Sequence, residues 1–281
     1  MGERMRVVEP MRLLAFLRGA LPGWKRTTLE QRIRAGCVRV NGATLAKNDF
    51  VAVGDEVEVV DRASADLRPP PPAGITVLHE DEALIAIAKP AGLLSVSSDD
   101  ERARTALALV RSWLSQPRAP ARLWPVHRLD RETSGVLLLA KTSDARRTLQ
   151  ANWSAARKTY LAIVEGRPKG SAGTIDEPLW EDEQLFVRVG EGPEAKAART
   201  RWRVLESAGT RSLLEVELDT GRRHQIRAHL AWLGHPVVGD DRYGAKGPRM
   251  LLHALRLEVP HPVEGRTLVL EAPAPRELRL R

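Results

Sequence analysis

Residues 127–135 read His127-Arg128-Leu129-Asp130-Arg131-Glu132-Thr133-Ser134-Gly135, and Val136-Leu137-Leu138-Leu139-Ala140-Lys141 follow. Asp130 stands between Arg128 and Arg131. Adjacent guanidiniums favour the ionised form of a carboxyl, which suits a nucleophile or base working at neutral pH. The same pattern also describes a surface ion pair. Thr133-Ser134-Gly135 marks a break, and the apolar run behind it has the length of a buried strand. Asp130 is therefore expected on a loop leading into a rigid core strand, where the loop exposes the carboxylate and the strand steadies it.

Other residues carry chemistry further along. Tyr160 lies in Lys158-Thr159-Tyr160-Leu161-Ala162-Ile163-Val164, a strand-like stretch. It is either a core aromatic with a tethered hydroxyl or a platform for stacking. Arg227 follows Thr220-Gly221-Arg222-Arg223-His224-Gln225-Ile226, where a helix carrying Ile226, Leu230 and Leu233 is expected. His224 and His229 are five apart, not the four that places two ligands on one helix face, and no segment has the spacing of a phosphate-binding Gly-Lys-Ser/Thr loop. No metal and no cofactor is expected.

These segments resemble, in order, the motifs of the RluA-type pseudouridine synthases, enzymes that isomerise uridine in RNA. Lys89-Pro90-Ala91-Gly92-Leu93 matches the first motif, with Ser95-Val96-Ser97 where the family often has a His-Pro pair. The string from His127 matches the signature motif, and Lys158 to Gly166 matches the motif that carries the family's active-site Tyr. Leu218 to Leu230, Gly234 to Asp240, Tyr243-Gly244 and Leu252-His253-Ala254 complete the set. The resemblance implies that Asp130 is the catalytic carboxylate, that Tyr160 meets the uracil ring and that Arg227 pairs with Asp130. It also implies that Arg128 enters the space left by a flipped base and that Arg222 is an RNA-binding neighbour. Whether Asp130 attacks the ribose, adds to the base or removes a proton is left open. Tyr243 reads as part of a structural turn.

The chain has 281 residues and a formal net charge of +8, a balance that suits a polyanionic partner. Cys37 is the only cysteine, which excludes an intrachain disulfide and a cysteine-based zinc site. No apolar run reaches the roughly 18–20 residues of a membrane span. No apolar signal-peptide core follows Met1–Arg6. A cytoplasmic monomer with no membrane partner is the expectation.

Three regions should position these groups. In the first, Leu13, Leu14, Phe16 and Leu17 form a helical apolar face, and Thr27-Thr28-Leu29-Glu30 offers a capping box ahead of a helix ending near Gly36. A strand over Cys37–Val40 then meets Asn41-Gly42, a hairpin turn, and Glu56–Val59 alternates as a second strand. Arg18, Lys25, Arg26, Arg32, Arg34 and Arg39 crowd this stretch. The run from Leu21 to Asp55 is similar to the S4 RNA-binding domain, whose basic side chains meet RNA phosphates, although Leu14 stands where such domains commonly have Asp. The resulting division is an S4-like unit over 1–62, a Pro-rich linker over 63–74 and a catalytic domain over 75–281. The fold expected is α+β: two helices plus a small sheet, followed by a mixed α/β synthase domain with a bent, mostly antiparallel central sheet. The activity implied is uridine isomerisation, in large-subunit ribosomal RNA because S4-bearing members of the family commonly act there. Transfer RNA is the alternative substrate, and a non-catalytic S4-type assembly factor is the alternative of a different class.

Overall fold

The structure, a computed structural model, describes residues 3–60, 69–97, 104–115 and 120–280. The polar stretch Asp61–Asp66 of the expected linker lies outside them. The chain divides into two units, Met1–Pro70 and Pro71–Arg281.

The first unit runs β1 (Glu3–Arg6), β2 (Met11–Arg12), α1 (Leu13–Ala20), α2 (Arg26–Arg34), β3 (Val38–Val40), β4 (Ala43–Thr44), β5 (Phe50–Val51) and β6 (Glu56–Val59). Its main sheet has the order β1-β6-β3-β4. Val38 and Val40 face Val59 and Val57 in register, and all four are buried. Against them pack Leu13, Phe16 and Leu17 of α1 and Leu29 and Ile33 of α2, at the i, i+3, i+4 spacing of one helix face. The end of α2 is a Schellman turn: Gly36 adopts φ 68°, its N–H donates to Ile33 O, and the Cys37 N–H donates to Arg32 O. Asn41 and Gly42, at φ 50° and 82°, make the two-residue hairpin turn.

Three features depart from the sequence reading. A strand at the very N-terminus, β1, pairs with β6 and widens the sheet. The capping box does not form: α2 starts at Arg26 with Lys25 as an N-cap that offers no side-chain bond. Glu30 is instead drawn to Arg26 at 3.1 Å and Lys47 at 3.4 Å. The six basic residues also do not share one face. With Val38 and Val40 turned into the core, strand alternation turns Arg39 to the opposite side of the sheet, where it pairs across with Glu58.

The second unit contains β7 (Thr76–Glu80), β8 (Leu84–Lys89), α3 (Ala106–Leu114), β9 (Trp124–Pro125), β10 (Ser134–Ala140), α4 (Ser143–Ala151) and β11 (Arg157–Glu165). It continues through β12 (Ala172–Asp176), β13 (Leu179–Glu181), β14 (Val187–Val189), β15 (Arg199–Ala208), β16 (Arg211–Leu218), α5 (Gln225–Trp232), β17 (Leu252–Pro260) and β18 (Thr267–Glu271). A ten-stranded mixed sheet organises it, in the order β12-β15-β16-β11-β17-β10-β8-β7, with β18 on β17 and β9 on β10. Its pairings are antiparallel except β10–β17, which is parallel.

All seven residues of β10 are buried. Val136, Leu138 and Ala140 pack with Ala145 and Leu149 of α4, while Leu137 and Leu139 pack with Ala106 and Val110 of α3. A strand covered on both faces reads as an unbroken apolar run, which is why no alternation shows in its sequence. Thr142, one residue ahead of the expected Ser143, caps α4 by accepting the Ala145 N–H at 3.1 Å. Gly135 sits at φ 117°, and a Cβ there would lie 2.2 Å from Ala254 O, so the start of β10 against β17 admits only glycine. No helix among the described residues is long and apolar enough to cross a membrane.

Candidate active site

The loop that carries Asp130 is fastened at every second residue, His127, Leu129 and Arg131. His127 Nε2 accepts the Leu138 N–H of β10 at 3.0 Å, and its ring stacks on Trp153. Burial, with Lys158 nearby, pushes His127 down to about 4, so the acceptor form persists at neutral pH. Ser95 clamps Leu129 both ways, donating to its carbonyl at 2.7 Å and accepting its N–H at 3.0 Å. That is the work done here by the position where the resembling family often carries His-Pro. Lys89 is fully buried and spends all three ammonium protons on the carbonyls of Pro90 (2.9 Å), Leu93 (2.7 Å) and Arg131 (3.0 Å). Burial lowers its pKa to about 8, opposed by Glu132 and Asp130.

Asp130 emerges from this scaffold at the wall of a cleft of about 520 Å³, lined also by Leu94, Arg128, Arg131, Glu132, Arg223, His224, Arg227, Asp241 and Arg242. Among the described residues of its lining, five guanidiniums outnumber three carboxylates, which makes this part of the wall electropositive. Among the described residues, the cation recorded in contact with Asp130 is Arg227, from α5, whose Nη1 donates to Oδ2 at 3.2 Å. Its sequence neighbours Arg128 and Arg131 line the same cleft.

Arg227 is held from behind. Its Nε and Nη2 donate to the two oxygens of Asp240 at 2.7 and 2.8 Å, and the Asp240 side chain is wholly buried. Burial works against the guanidinium's charge, but the bonds and charges of Asp240 and Asp130 outweigh it and raise its pKa. The ring of Tyr243 lies 5.2 Å beneath the same guanidinium. The Tyr243 hydroxyl accepts the Val187 N–H at 3.2 Å and meets His224 Nδ1 at 3.0 Å. His224 in turn presents Nε2 to Asp130 Oδ2 at 3.9 Å.

A buried polar chain sets the start of α5. The Gln225 side chain accepts from Thr220 Oγ1 and Arg222 N, and donates to Arg199 O and Thr200 Oγ1. Thr200 Oγ1 bonds His229 Nδ1 at 2.8 Å, and His229 Nε2 donates to Glu177 O.

The remaining sequence-derived candidates separate. Tyr160 is half-buried on β11, opposite Ala254 of β17, which in turn pairs with Gly135 of β10. It stands beside the Asp130 loop and outside the residues that line the cleft. Burial and the nearby Asp130 push its hydroxyl pKa up, so it stays protonated. Arg222 turns away, donating to Ala197 O and lining a separate hollow with Trp180 and Lys196. Arg26 is paired with Glu30, and Arg32 stacks on Trp24 and donates to Val60 O. Lys25 and Arg34 are exposed.

His224, Asp240 and Tyr243 are the groups that sequence reasoning missed. In the sequence His224 shows only a spacing to test for metal ligation, and Tyr243 reads only as a turn residue. His229, His235 and His253 are each bonded to a backbone carbonyl. Among the described residues His79, Asp81 and His261 do converge. There, His261 Nδ1 accepts the N–H groups of Val263 and Glu264, so Nε2 carries the proton and donates to Asp81. That is a hydrogen-bonded tie in which His261 Nε2 is spent as a proton donor to Asp81.

The chain belongs to the pseudouridine synthases: the family model described as RNA pseudouridylate synthase matches residues 83–232. It is 36% identical to an uncharacterized RNA pseudouridine synthase of Chloroflexus aurantiacus, over 99% of this chain and 92% of that one. It is 34% identical to the ribosomal large subunit pseudouridine synthase D of Nitrosomonas europaea, over 95% of this chain and 82% of that one. The solved structure of human RNA pseudouridylate synthase domain containing 4 superposes with a TM-score of 0.60 at 26% identity, over 72% of this chain and 89% of the human one.

Proposed function

We propose that this synthase isomerises uridines of large-subunit ribosomal RNA, with Asp130 as the reacting carboxylate, Arg227 as its charge partner and Tyr160 beside the base. The observation that carries the reading is Asp130 itself. It is an aspartate one-quarter exposed at the wall of an electropositive cleft, and one of its oxygens is tied to a guanidinium that is itself anchored. A cleft of this size suits a single extruded nucleotide. The glycosidic N1–C1′ bond would break, the uracil would turn, and C5–C1′ would form as the C5 proton leaves and N1 gains one. Atoms and electrons balance without a redox carrier or nucleotide hydrolysis.

The choice of RNA leans on relatives. The proteins named ribosomal large subunit pseudouridine synthase C and D match over more than nine-tenths of this chain. The Met1–Pro70 unit, with exposed Arg18, Lys25 and Arg34, would act as an S4-like RNA-binding unit. Arg128 at the cleft would meet the RNA next to the flipped base. Transfer RNA with the same chemistry is the second reading.

The test is Asp130→Asn, together with mapping of pseudouridines in RNA from a deletion strain. The variant is expected to lose turnover while RNA affinity stays within about tenfold, because phosphate contacts elsewhere dominate binding. Turnover above about one percent of wild type would end the assignment. Loss of pseudouridine from transfer RNA alone in the deletion strain would move the substrate.

A further inference from the structure

We infer that His224 is a positioning residue whose Nε2–H, set by Tyr243, joins Arg227 on Oδ2 of Asp130 and leaves Oδ1 as the oxygen that reacts. The inference rests on the proposed role of Asp130.

The tautomer follows from hydrogen-bond accounting. The Tyr243 oxygen accepts the Val187 N–H, so its own proton is free to go to His224 Nδ1, 3.0 Å away. A ring that accepts at Nδ1 and is neutral must carry its proton on Nε2. Burial, helped by Arg227, Arg223 and Arg242 against the pull of Asp130, lowers His224 to about 4, so the neutral ring is the working form. Nε2 then points a donor at Asp130 Oδ2 from 3.9 Å, where Arg227 Nη1 already donates from 3.2 Å. Among the described residues no hydrogen bond reaches Oδ1. The separation of 3.9 Å exceeds a hydrogen bond, and such contacts commonly tighten once substrate binds.

The backbone supports a functional reading. His224 sits at φ 51°, ψ 18°, a left-handed conformation rare for most side chains but one that histidine, like asparagine and aspartate, adopts more readily, at the N-terminal boundary of α5. The Gln225 network on either side holds that turn and aims the ring toward the cleft. Two donors on one carboxylate oxygen would draw charge to Oδ2 and orient the other oxygen toward the substrate.

Two near-isosteres separate this role from a purely structural one. The amide of His224→Asn can replace Nδ1 and keep the Tyr243 bond, and asparagine tolerates the left-handed backbone. The amide of His224→Gln reaches to where Nε2 stood and keeps a donor toward Asp130. The inference expects single-turnover kcat on saturating RNA to fall about tenfold or more in His224→Asn, with KM unchanged, and to stay within about threefold in His224→Gln. A His224→Asn enzyme as fast as His224→Gln, or faster, would overturn it, since only the Tyr243 contact would then matter. Tyr243→Phe decides the case if either variant fails to fold. It keeps the imidazole and the ring under Arg227 but removes the proton that sets the tautomer, and wild-type kcat in that variant would also overturn the inference. Asp130→Asn run alongside separates the two levels. An active Asp130→Asn defeats the functional reading, whereas an inactive one beside a fully active His224→Asn defeats only this inference.

Discussion

Asp240→Asn tests whether Arg227 is held by the buried carboxylate behind it. The substitution keeps the volume. An asparagine oxygen can still accept the N–H groups of Arg242 and Tyr243, which Oδ1 now takes at 3.0 and 3.2 Å. Its amide nitrogen, however, would face Arg227 Nε across the 2.7 Å now spanned by a charged bond, donor against donor. Breaking one side of a buried ion pair costs about 3–5 kcal/mol. Asp130 at 3.2 Å still compensates part of the guanidinium charge, so the lower end, about 3 kcal/mol, is expected. At about 2–4 °C per kcal/mol for a domain of this size, Tm should fall by roughly 6–12 °C at pH 7. Burial pushes the Asp240 carboxyl up, but the bonds and charge of Arg227 and two backbone amides pull it further, and the net shift is down. A carboxyl with a depressed folded pKa contributes stability that is full above its unfolded pKa, about 3.9, and is lost as pH falls through the folded value. The Tm gap between wild type and variant should therefore be widest near neutrality and narrow below about pH 4. Turnover should drop about tenfold or more as the guanidinium loses its fixed orientation. Calorimetry at pH 7, 5 and 3.5 with single-turnover assays checks this. A Tm within about 2 °C of wild type at pH 7, or a gap that persists unchanged in acid, would refute the reasoning.

Gly135→Ala should destabilise by about 3 kcal/mol or more, because the new Cβ meets Ala254 O at 2.2 Å and N at 2.6 Å at a φ of 117°; chemical denaturation measures it. Removing residues 1–70 should raise KM far more than it lowers kcat. With Arg18, Lys25 and Arg34 gone, the slope of log K against log salt should flatten by about 2–3, and an unchanged slope with the loss confined to kcat would show that the unit does not bind RNA. Chelators should leave turnover on pre-folded RNA unchanged, and loss in EDTA restored by a divalent ion would contradict the bonding found for the histidines.

What local pattern could express was legible in the sequence. The unbroken Val136–Ala140 run reads as a buried strand and Asp130 ahead of it as a loop residue, although Ser134 and Gly135, which read as a break, are the first two residues of β10. Gly36 and Asn41-Gly42 marked a helix end and a hairpin because only a few residue types accept a positive φ. The set Asp130, Tyr160 and Arg227 was readable as candidate chemistry from motif order. The Thr27–Glu30 pattern misled because a capping glutamate is free only if nothing stronger competes, and here Arg26 and Lys47 do.

Partnership was decided in three dimensions. Arg227 is ninety-seven residues from Asp130 and thirteen from Asp240, and nothing local says that one guanidinium bridges them. Asp240 closes a matched motif with no sign in the sequence of its partner, yet folding removes it from water. Tyr243 reads as a turn residue and becomes the floor beneath Arg227 and the partner of His224. Arg39 and Arg32 read as one basic patch with their neighbours, yet strand alternation sends the first to the far side of its sheet and Trp24 and Val60 take up the second. The sequence by itself determined the elements and the reactive residue types, because helix, strand and turn preferences act within a few positions. Only the tertiary structure decided which donors meet which carboxylate oxygen, because that depends on the register of β10, β17 and β11 and on burial that makes each buried charge seek its nearest opposite.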